Sequence, residues 1–184
     1  VPLHSLVPPY LSDVIGHYHG DFFATRLFDP RLVAQLMAEG FLPIATRRYL
    51  LPKLHEERCV LRLKGGQGSK GGSRSGSDLH VSRSVRKKAR RFEISLNRDF
   101  DGVVAGCHAQ HGINWLYPPV VEAFRFIHTG AGGGVEKGVD AMIFDDAMGV
   151  RAASGPVVGT CPVRLYSVEV YNASTGKLVA GGIG

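Results

Sequence analysis

The sequence has few cysteines and no long apolar run. Its three cysteines, Cys59, Cys107 and Cys161, are widely spaced and form no C-x-x-C pair. An odd, scattered set argues against a disulfide framework or a zinc ribbon and fits a reducing compartment. No segment approaches the roughly 20 consecutive apolar residues that cross a bilayer. We therefore expect a soluble cytoplasmic protein that makes no use of a membrane.

Motifs that would identify several enzyme classes are also missing. The glycine runs contain no phosphate-binding G-x-x-x-x-G-K-[ST] loop, and none joins a clear strand to a helix as dinucleotide-binding loops do. There is no G-x-S-x-G nucleophile elbow. The histidines and cysteine of residues 107–111, CHAQH, match no standard zinc spacing, so we expect a polar helix end there rather than a metal site. We accordingly expect neither a metal nor an organic cofactor.

What is present is an ordinary globular composition with an excess of positive charge. In 184 residues, 44% are hydrophobic and 21% charged, which is typical of one soluble domain or two small ones. The 22 Lys and Arg residues outnumber the 16 Asp and Glu residues. Such a field favours an anionic partner, which could be nucleic acid, an acidic protein surface or anionic lipid.

The chain divides by composition into two ordered parts. Residues 1–63 are expected to form a small N-terminal α/β domain, with a helix that starts at Asp29-Pro30 and stops at Gly40, and a short strand over residues 59–63. Residues 64–78 have almost no apolar side chains, so we expect a flexible Gly/Ser-rich linker. Residues 79–184 form the second domain, with a Gly-rich insertion of little regular structure at about 130–162.

Within the second domain, the hydrophobic pattern predicts helices after Ser82, near Asp99 and from Pro118, and a strand over residues 92–96. A final hairpin is expected around the turn of residues 172–176. The pattern predicts an α+β fold with a mostly antiparallel sheet. Because the last strand stops uncovered at residue 184, we expect the natural protein to continue.

Residues 79–91, LHVSRSVRKKARR, concentrate six Arg and Lys residues. On a helical wheel, Val85, Ala89 and Phe92 share one stripe that should face the core, while the cations Arg83, Lys87, Arg90 and Arg91 lie opposite. Stacked cations repel one another unless something anionic lies across them. A nucleic-acid backbone meets that need, although a solvated face near a helix end is an equally good explanation of the pattern alone.

The only tryptophan, Trp115, precedes the double proline of GINWLYPPVVEAF, and Phe124 follows in the helix that the prolines start. An aromatic side chain in this position can simply pack in the core, or it can wall an apolar ligand pocket. The residues alone leave both possibilities open.

Four segments together resemble the leucyl/phenylalanyl-tRNA–protein transferases. In chain order they are FDPRLVAQLMAEGFLP, LHVSRSVRKKARRFEISLNRDFDGVVAGC, INWLYPPVVEAFRFIHTG and LYSVEVYNASTGKLVAGGIG. The resemblance implies a small N-terminal domain followed by a fold related to the GNAT acyltransferases, here incomplete. It also implies transfer of Leu or Phe, or Met, from aminoacyl-tRNA to proteins that begin with Arg or Lys, which marks them for N-end-rule degradation.

The resemblance also implies roles for individual residues. Arg83, Lys87, Arg90 and Arg91 match the basic positions that hold the tRNA acceptor stem. Trp115 matches the tryptophan of the aminoacyl-adenosine pocket, and Phe124 stands where the family usually has Tyr. Met37 and Ile44 replace an aromatic Tyr and Trp of the same pocket. The family's catalytic carboxylate and amide lie downstream of the hairpin, so the catalytic residues of this protein are unknown and we expect the catalytic half beyond this chain.

The leading hypothesis is therefore a monomeric aminoacyltransferase whose partners are aminoacyl-tRNA and acceptor proteins with N-terminal Arg or Lys. A second hypothesis, motivated by the changed pocket residues, is a GNAT-like domain that binds tRNA or other RNA without catalysis. A third is an acyltransferase that uses acyl-CoA, which would need a phosphate-binding glycine loop after the last strand.

Overall fold

A computed structural model describes residues 23–55, 57, 59, 81–144 and 157–184. These residues form four α-helices, seven strands and one short 3-10 helix, and every strand pairing is antiparallel. The elements are α1 (Pro30–Ala38), β1 (Leu42–Ala45), β2 (Leu50–Lys53), α2 (Arg83–Ala89), β3 (Phe92–Leu96), α3 (Phe100–His111), α4 (Pro118–His128), the 3-10 helix (Gly130–Gly132), β4 (Val139–Phe144), β5 (Val157–Val163), β6 (Ser167–Asn172) and β7 (Leu178–Ile183). The predicted α+β class is confirmed; the likeness to GNAT acyltransferases stays a prediction.

Helix α1 forms where the sequence predicts it. The Asp29 side chain accepts hydrogen bonds from the main-chain N–H groups of Arg31 and Leu32, at 2.8 and 3.3 Å, and so satisfies two donors of the first turn. Gly40 follows the helix with a φ of +88°, a conformation that a side chain would disfavour. The buried residues of α1 face the core, and they are Leu32, Val33, Ala34, Gln35 and Leu36.

The strands β3, β6 and β7 form a three-stranded sheet in the order β3-β6-β7. Helix α3 packs closely on one face, since a Cβ atom added to Gly181 would lie 2.7 Å from a methyl group of Val103. The opposite face is apolar and exposed: Ile94 is 73% and Leu96 61% accessible. Alternation along β3 therefore predicted the strand correctly, although its apolar side chains do not enter a core in the described part of the chain.

Residues 130–162 contain more regular structure than the sequence predicts, and that prediction was wrong. Strands β4 and β5 pair from Val139↔Val163 to Phe144↔Val157. The side-chain amide of Gln35 fastens β4 to α1, because its oxygen accepts from Met142 N at 2.8 Å and its nitrogen donates to Met142 O at 3.3 Å. The many glycines made the segment look irregular. Strands β4 and β5 are stabilised by pairing with each other and by contact with α1, and the local sequence does not show these contacts.

One hydrophobic core joins both halves of the described chain. It includes Leu36 and Leu50 from the N-terminal part together with Val120, Ile127 and Leu165 from the remainder. Helix α1 thus packs in the same core as α4 rather than in one of its own. The division into domains at residues 63 and 79 stays a prediction, and the predicted linker at 64–78 and most of the predicted strand at 59–63 lie outside the described residues.

No helix in the described ranges is both long enough and apolar enough to cross a membrane.

Candidate nucleic-acid interface

Helix α2 carries the densest group of cations in the chain. Its first turn is capped by Ser82, whose side chain accepts from Val85 N at 3.3 Å and whose carbonyl accepts from Arg86 N at 3.1 Å. Arg86, Lys87 and Lys88 occupy the last turn, where the negative end of the helix dipole favours cations. Arg83 lies in the first turn, where the dipole opposes a positive charge. Helix stability therefore does not account for Arg83.

Every residue from Arg83 to Ile94 is exposed. In the part of the chain that the structure describes, no ion pair joins an α2 cation, Arg90 or Arg91 to a carboxylate. The four predicted tRNA-contact residues, Arg83, Lys87, Arg90 and Arg91, therefore present their charges to solvent. Because like charges at helical spacing repel one another, the surface is well suited to an anionic strand.

The predicted inward stripe of α2 was wrong. Val85 is 54% and Phe92 41% accessible, and Ala89 is exposed as well. The helix has seven residues, none of them buried, and its main contacts are with the adjacent strand β3. A helical wheel gives the relative directions of side chains but not whether another element covers one side, so the amphipathic pattern located the helix without locating a core.

The end of α2 is held to the sheet by main-chain bonds. Arg91 N donates to Lys88 O at 3.0 Å, and Arg91 O accepts from Ala173 N at 2.9 Å. Ala173 belongs to the turn between β6 and β7, which the Asn172 side chain stabilises by accepting from Ser174 N and Thr175 N. The cations Arg90 and Arg91 consequently lie at a fixed end of the three-stranded sheet.

A buried carboxylate organises the opposite end of that sheet. Glu169 is fully buried and accepts from the hydroxyl groups of Ser95, at 2.7 Å, and Ser167, at 2.6 Å. It also accepts from the main-chain N–H groups of Arg98 and Asp99, both at 3.2 Å. Burial alone would raise the pKa of Glu169, but the hydrogen bonds from Ser167, Ser95, Asp99 and Arg98 outweigh it and lower the pKa. The carboxylate thus links β3 and β6 to the start of α3, where Asp99 caps Gly102 N at 2.8 Å.

Two of the four predicted pocket residues, Trp115 and Ile44, lie on segments that a main-chain hydrogen bond joins. Trp115 lies in the turn between α3 and α4, and its carbonyl accepts from Ala45 N at 3.1 Å. Ile44 precedes Ala45 on β1 and is partly buried. Trp115 is 40% accessible, so it is not a core residue in the described part of the chain. Of the two possibilities that the sequence left open, packing inside the core does not describe Trp115 among the described residues, and a pocket wall stays a prediction.

Of the other two pocket residues, one lies in the core and the other packs against it. Phe124 is 5% accessible and lies in the cluster formed by α1 and α4, while Met37 packs against that cluster from the end of α1. Phe124 therefore fills core volume as an apolar side chain and offers little surface to a ligand. The assignment of all four residues to an aminoacyl-adenosine pocket stays a prediction.

The CHAQH segment ends helix α3, as expected. His108 Nε2 lies 2.8 Å from the carbonyl oxygen of Leu116, and Gly112 turns the chain with a φ of +72°. Cys107 and His111 line a groove of about 500 Å³ between α3 and the edge strand β7. Among the described residues, no group of three His, Cys, Asp or Glu side chains could hold a metal ion.

Sequence reasoning missed two features. The first is Glu169. In strand β6 every second residue, Ser167, Glu169 and Tyr171, faces inward, and this alternation in the sequence could have placed the carboxylate on the inner face. The second feature is a pair of adjacent arginines, Arg47 and Arg48, in the turn between β1 and β2. In the sequence they are visible only as two neighbouring arginines in a short connection, which is a weaker indication than the six cations of residues 79–91.

Comparisons with known proteins agree with the resemblance. Residues 75–144 match the family model described as leucyl/phenylalanyl-tRNA protein transferase. The leucyl/phenylalanyl-tRNA–protein transferase of Dinoroseobacter shibae is 31% identical over 160 residues, which cover 80% of this chain and 56% of that protein. The proteins of the same name from Pseudomonas aeruginosa and Azotobacter vinelandii are each 38% identical over 56 residues, 28% of this chain and 25% of theirs.

The predicted resemblance to this family is thereby confirmed. The family match includes α2, β3, α3 and α4, so both the cationic helix and the Trp115 turn lie within it. The chain spans about half the length, 56%, of the Dinoroseobacter relative.

Proposed function

We propose that this chain is part of an aminoacyl-tRNA–protein transferase, which moves Leu or Phe, or Met, from its tRNA to the N-terminus of proteins beginning with Arg or Lys. The product would be a substrate for N-end-rule degradation in the cytoplasm, and the fold around the three-stranded sheet would be of the GNAT acyltransferase type. The family match at residues 75–144 and the 31% identity to the Dinoroseobacter transferase support the activity.

The observation that carries the proposal is the exposed cationic surface of α2, which has no carboxylate partner among the described residues. Arg83 is the most informative position, because the helix dipole opposes a cation there and tRNA phosphate would favour one. Contacts to phosphate are tolerant of sequence, which suits an enzyme that accepts several aminoacyl-tRNAs. The exposed indole of Trp115 offers an apolar surface on which the terminal adenosine can stack.

The reaction is aminolysis of an ester that is already activated. The acceptor's α-amine attacks the aminoacyl carbonyl carbon, the new peptide bond forms as the ester C–O bond breaks, and the ribose hydroxyl of the terminal adenosine leaves with the proton that the amine gives up. Positioning of the two substrates and stabilisation of the developing oxyanion can supply much of the rate, so the chemistry requires neither metal nor organic cofactor. In this chain, α2 and Trp115 would contribute positioning.

Transfer of radiolabelled Leu from Leu-tRNA to a peptide that begins with Arg tests the activity in the full-length natural protein. We expect labelled peptide with an Arg or Lys start and none with an acetylated N-terminus, because acetylation removes the attacking amine. Absence of transfer with Leu-, Phe- and Met-tRNA would reject the proposal.

A second candidate function is tRNA or RNA binding without transfer. It is favoured by Phe124, which is buried in the core and lacks the hydroxyl that the family's tyrosine would bring, and by the aliphatic side chains at Met37 and Ile44. Retained tRNA binding together with no transfer by the full-length protein would support this alternative.

A further inference from the structure

A second group of exposed cations lies at the tip of the β1–β2 hairpin. Ala45 pairs with Leu50, Thr46 N donates to Tyr49 O at 2.8 Å, and Tyr49 N donates to the Thr46 hydroxyl at 3.1 Å. Arg47 and Arg48 therefore occupy the two central positions of the turn, and both are exposed. Main-chain groups and the Thr46 hydroxyl make the bonds that close this turn, so the arginine side chains are not needed to form it.

A third guanidinium lies at the same end of the hairpin. Thr25 exchanges main-chain hydrogen bonds with Leu50, at 3.0 and 2.8 Å, and so places Arg26 beside the start of β2. Arg26 Nη2 donates to the Tyr49 hydroxyl at 3.0 Å, and its guanidinium carbon lies 5.3 Å from the centre of the Tyr49 ring. Arg26 is exposed, yet its position is fixed by two interactions with one aromatic side chain.

The charges of this cluster, Arg26, Arg47 and Arg48, are not balanced nearby. Within the described ranges, no ion pair joins any of the three to a carboxylate. Three positive charges at one hairpin end repel one another and contribute nothing to the bonds of the turn. An anion held between them would remove that repulsion.

The main chain next to the cluster is bonded to an exposed aromatic residue, Trp115. Ala45, which precedes the turn, donates its main-chain N–H to Trp115 O at 3.1 Å. The main chain of Trp115 is thus bonded to the base of the cationic turn, and Trp115 itself is partly exposed. Cations and exposed aromatic side chains on one surface are the combination that holds a single nucleic-acid strand, with phosphates on the cations and a base on the ring.

We propose that Arg26, Arg47 and Arg48 form a second phosphate-binding surface, which holds the backbone of an RNA strand as it approaches Trp115. The proposal rests on the proposed function, in that the RNA is the tRNA whose acceptor stem α2 contacts. The N-terminal hairpin would provide an additional contact, so the RNA would be bound at two separate cationic surfaces. The exposed Trp115, whose main chain is bonded to the base of the hairpin turn, favours RNA over an acidic protein, since a carboxylate does not stack on an aromatic ring.

The test is the salt dependence of tRNA binding by the full chain, followed by fluorescence anisotropy between about 50 and 300 mM salt. The double variant Arg47→Ala/Arg48→Ala should bind about tenfold more weakly at low salt, and the slope of log K against log salt should flatten by about one to two units. The charge-preserving variant Arg47→Lys/Arg48→Lys should recover most of the slope.

A control variant with the same loss of charge is Arg31→Ala/Lys137→Ala. Both residues are exposed cations outside the two surfaces, so this variant should bind tRNA almost as the unmodified chain does.

The results separate failure of this inference from failure of the proposed function. If the unmodified chain binds tRNA, and Arg83→Ala/Lys87→Ala weakens binding while the hairpin variant matches the Arg31→Ala/Lys137→Ala control, the second surface is refuted and the function stands. If the unmodified chain does not bind tRNA, both fall. Equal competition by polyglutamate at matched charge concentration would also refute the assignment to RNA. Unchanged thermal unfolding of each variant verifies that a loss of binding is not a loss of fold.

Discussion

The main-chain nitrogen of Ala45 donates a hydrogen bond to the carbonyl oxygen of Trp115, at 3.1 Å. This bond joins the hairpin β1–β2 to the turn that precedes helix α4, although the two residues are 70 positions apart. The half-exposed indole and the cationic hairpin turn are thereby attached to one framework. An RNA end that stacked on Trp115, as proposed, would lie at a segment that is bonded to the N-terminal hairpin.

Trp115 provides the first prediction. Trp115→Ala should weaken binding of aminoacyl-tRNA by about 1–3 kcal/mol, because one stacking surface is lost, whereas Trp115→Phe should retain about half of that energy or more. The free energy of unfolding should change little, since the indole is partly exposed and the carbonyl that accepts from Ala45 remains. Binding is measured by anisotropy and stability by urea unfolding. Equal affinity of the Ala variant and the unmodified chain would contradict the role of the indole.

Helix α2 provides the second prediction. Arg83→Ala/Lys87→Ala should reduce tRNA affinity uniformly across Leu-, Phe- and Met-tRNA and flatten the salt slope by about two units, because each cation lost releases about one counterion fewer. Arg83→Lys/Lys87→Arg keeps both charges and serves as the matched control. Loss of affinity for only one of the three tRNAs would show that these residues read sequence rather than phosphate.

The sequence could predict those elements whose signals are local. Asp29 and Pro30 start α1 and Gly40 ends it, and each acts within a few residues of its own position. Paired contacts that are distant in sequence could not be predicted in this way. Strand β4 depends on β5 and on the Gln35 side chain, whose partner Met142 is 107 residues away. The same limit explains why Val85 on α2 was expected inside. The apolar stripe is visible in the sequence, but whether another element packs on it is not, and among the described residues Val85 is exposed.

For the candidate site, the sequence predicted exposed cations but not the contacts that support them. Arg83 and Lys87 could be placed outward because charge and helical spacing are both visible in the sequence. The bond between Arg91 O and Ala173 N, which fixes the end of α2, depends on the pairing of β3 with β6. Glu169 was missed for the same reason, since Ser95, Arg98 and Asp99 lie 70 to 74 residues before it.

The exposed sheet face of Ile94 and Leu96 leads to a third prediction. Ile94→Thr should change the free energy of unfolding by less than about 0.5 kcal/mol, because the side chain is 73% accessible and leaves water only in part. Ile127→Thr, the same substitution at a fully buried position on α4, should cost about 2–4 kcal/mol through a cavity and a buried hydroxyl. Urea unfolding of both variants measures the contrast. A cost at Ile94 as large as at Ile127 would mean that this face is covered in solution.

Glu169 leads to the last prediction, which concerns pH. Its pKa is lower in the folded protein than in the unfolded chain, because hydrogen bonds to the carboxylate outweigh the effect of burial. A carboxyl group with a lowered folded-state pKa contributes stability that is complete above the unfolded value, about 4.3, and is lost as the pH falls through the folded value. Part of the acid sensitivity of this protein should therefore come from Glu169.

Glu169→Gln tests this directly. The amide offers one acceptor oxygen where the carboxylate has two, and its NH₂ group would face a donor such as Ser95 or the N–H groups of Arg98 and Asp99. We expect the free energy of unfolding at pH 7 to fall by about 2 kcal/mol, and the decline of stability between about pH 5 and pH 3 to become shallower than in the unmodified chain. Glu93→Gln removes the same charge at an exposed position on β3 and should leave both quantities nearly unchanged. If Glu169→Gln and Glu93→Gln gave the same stability and the same acid profile, the buried carboxylate would not be what joins β3, β6 and the start of α3.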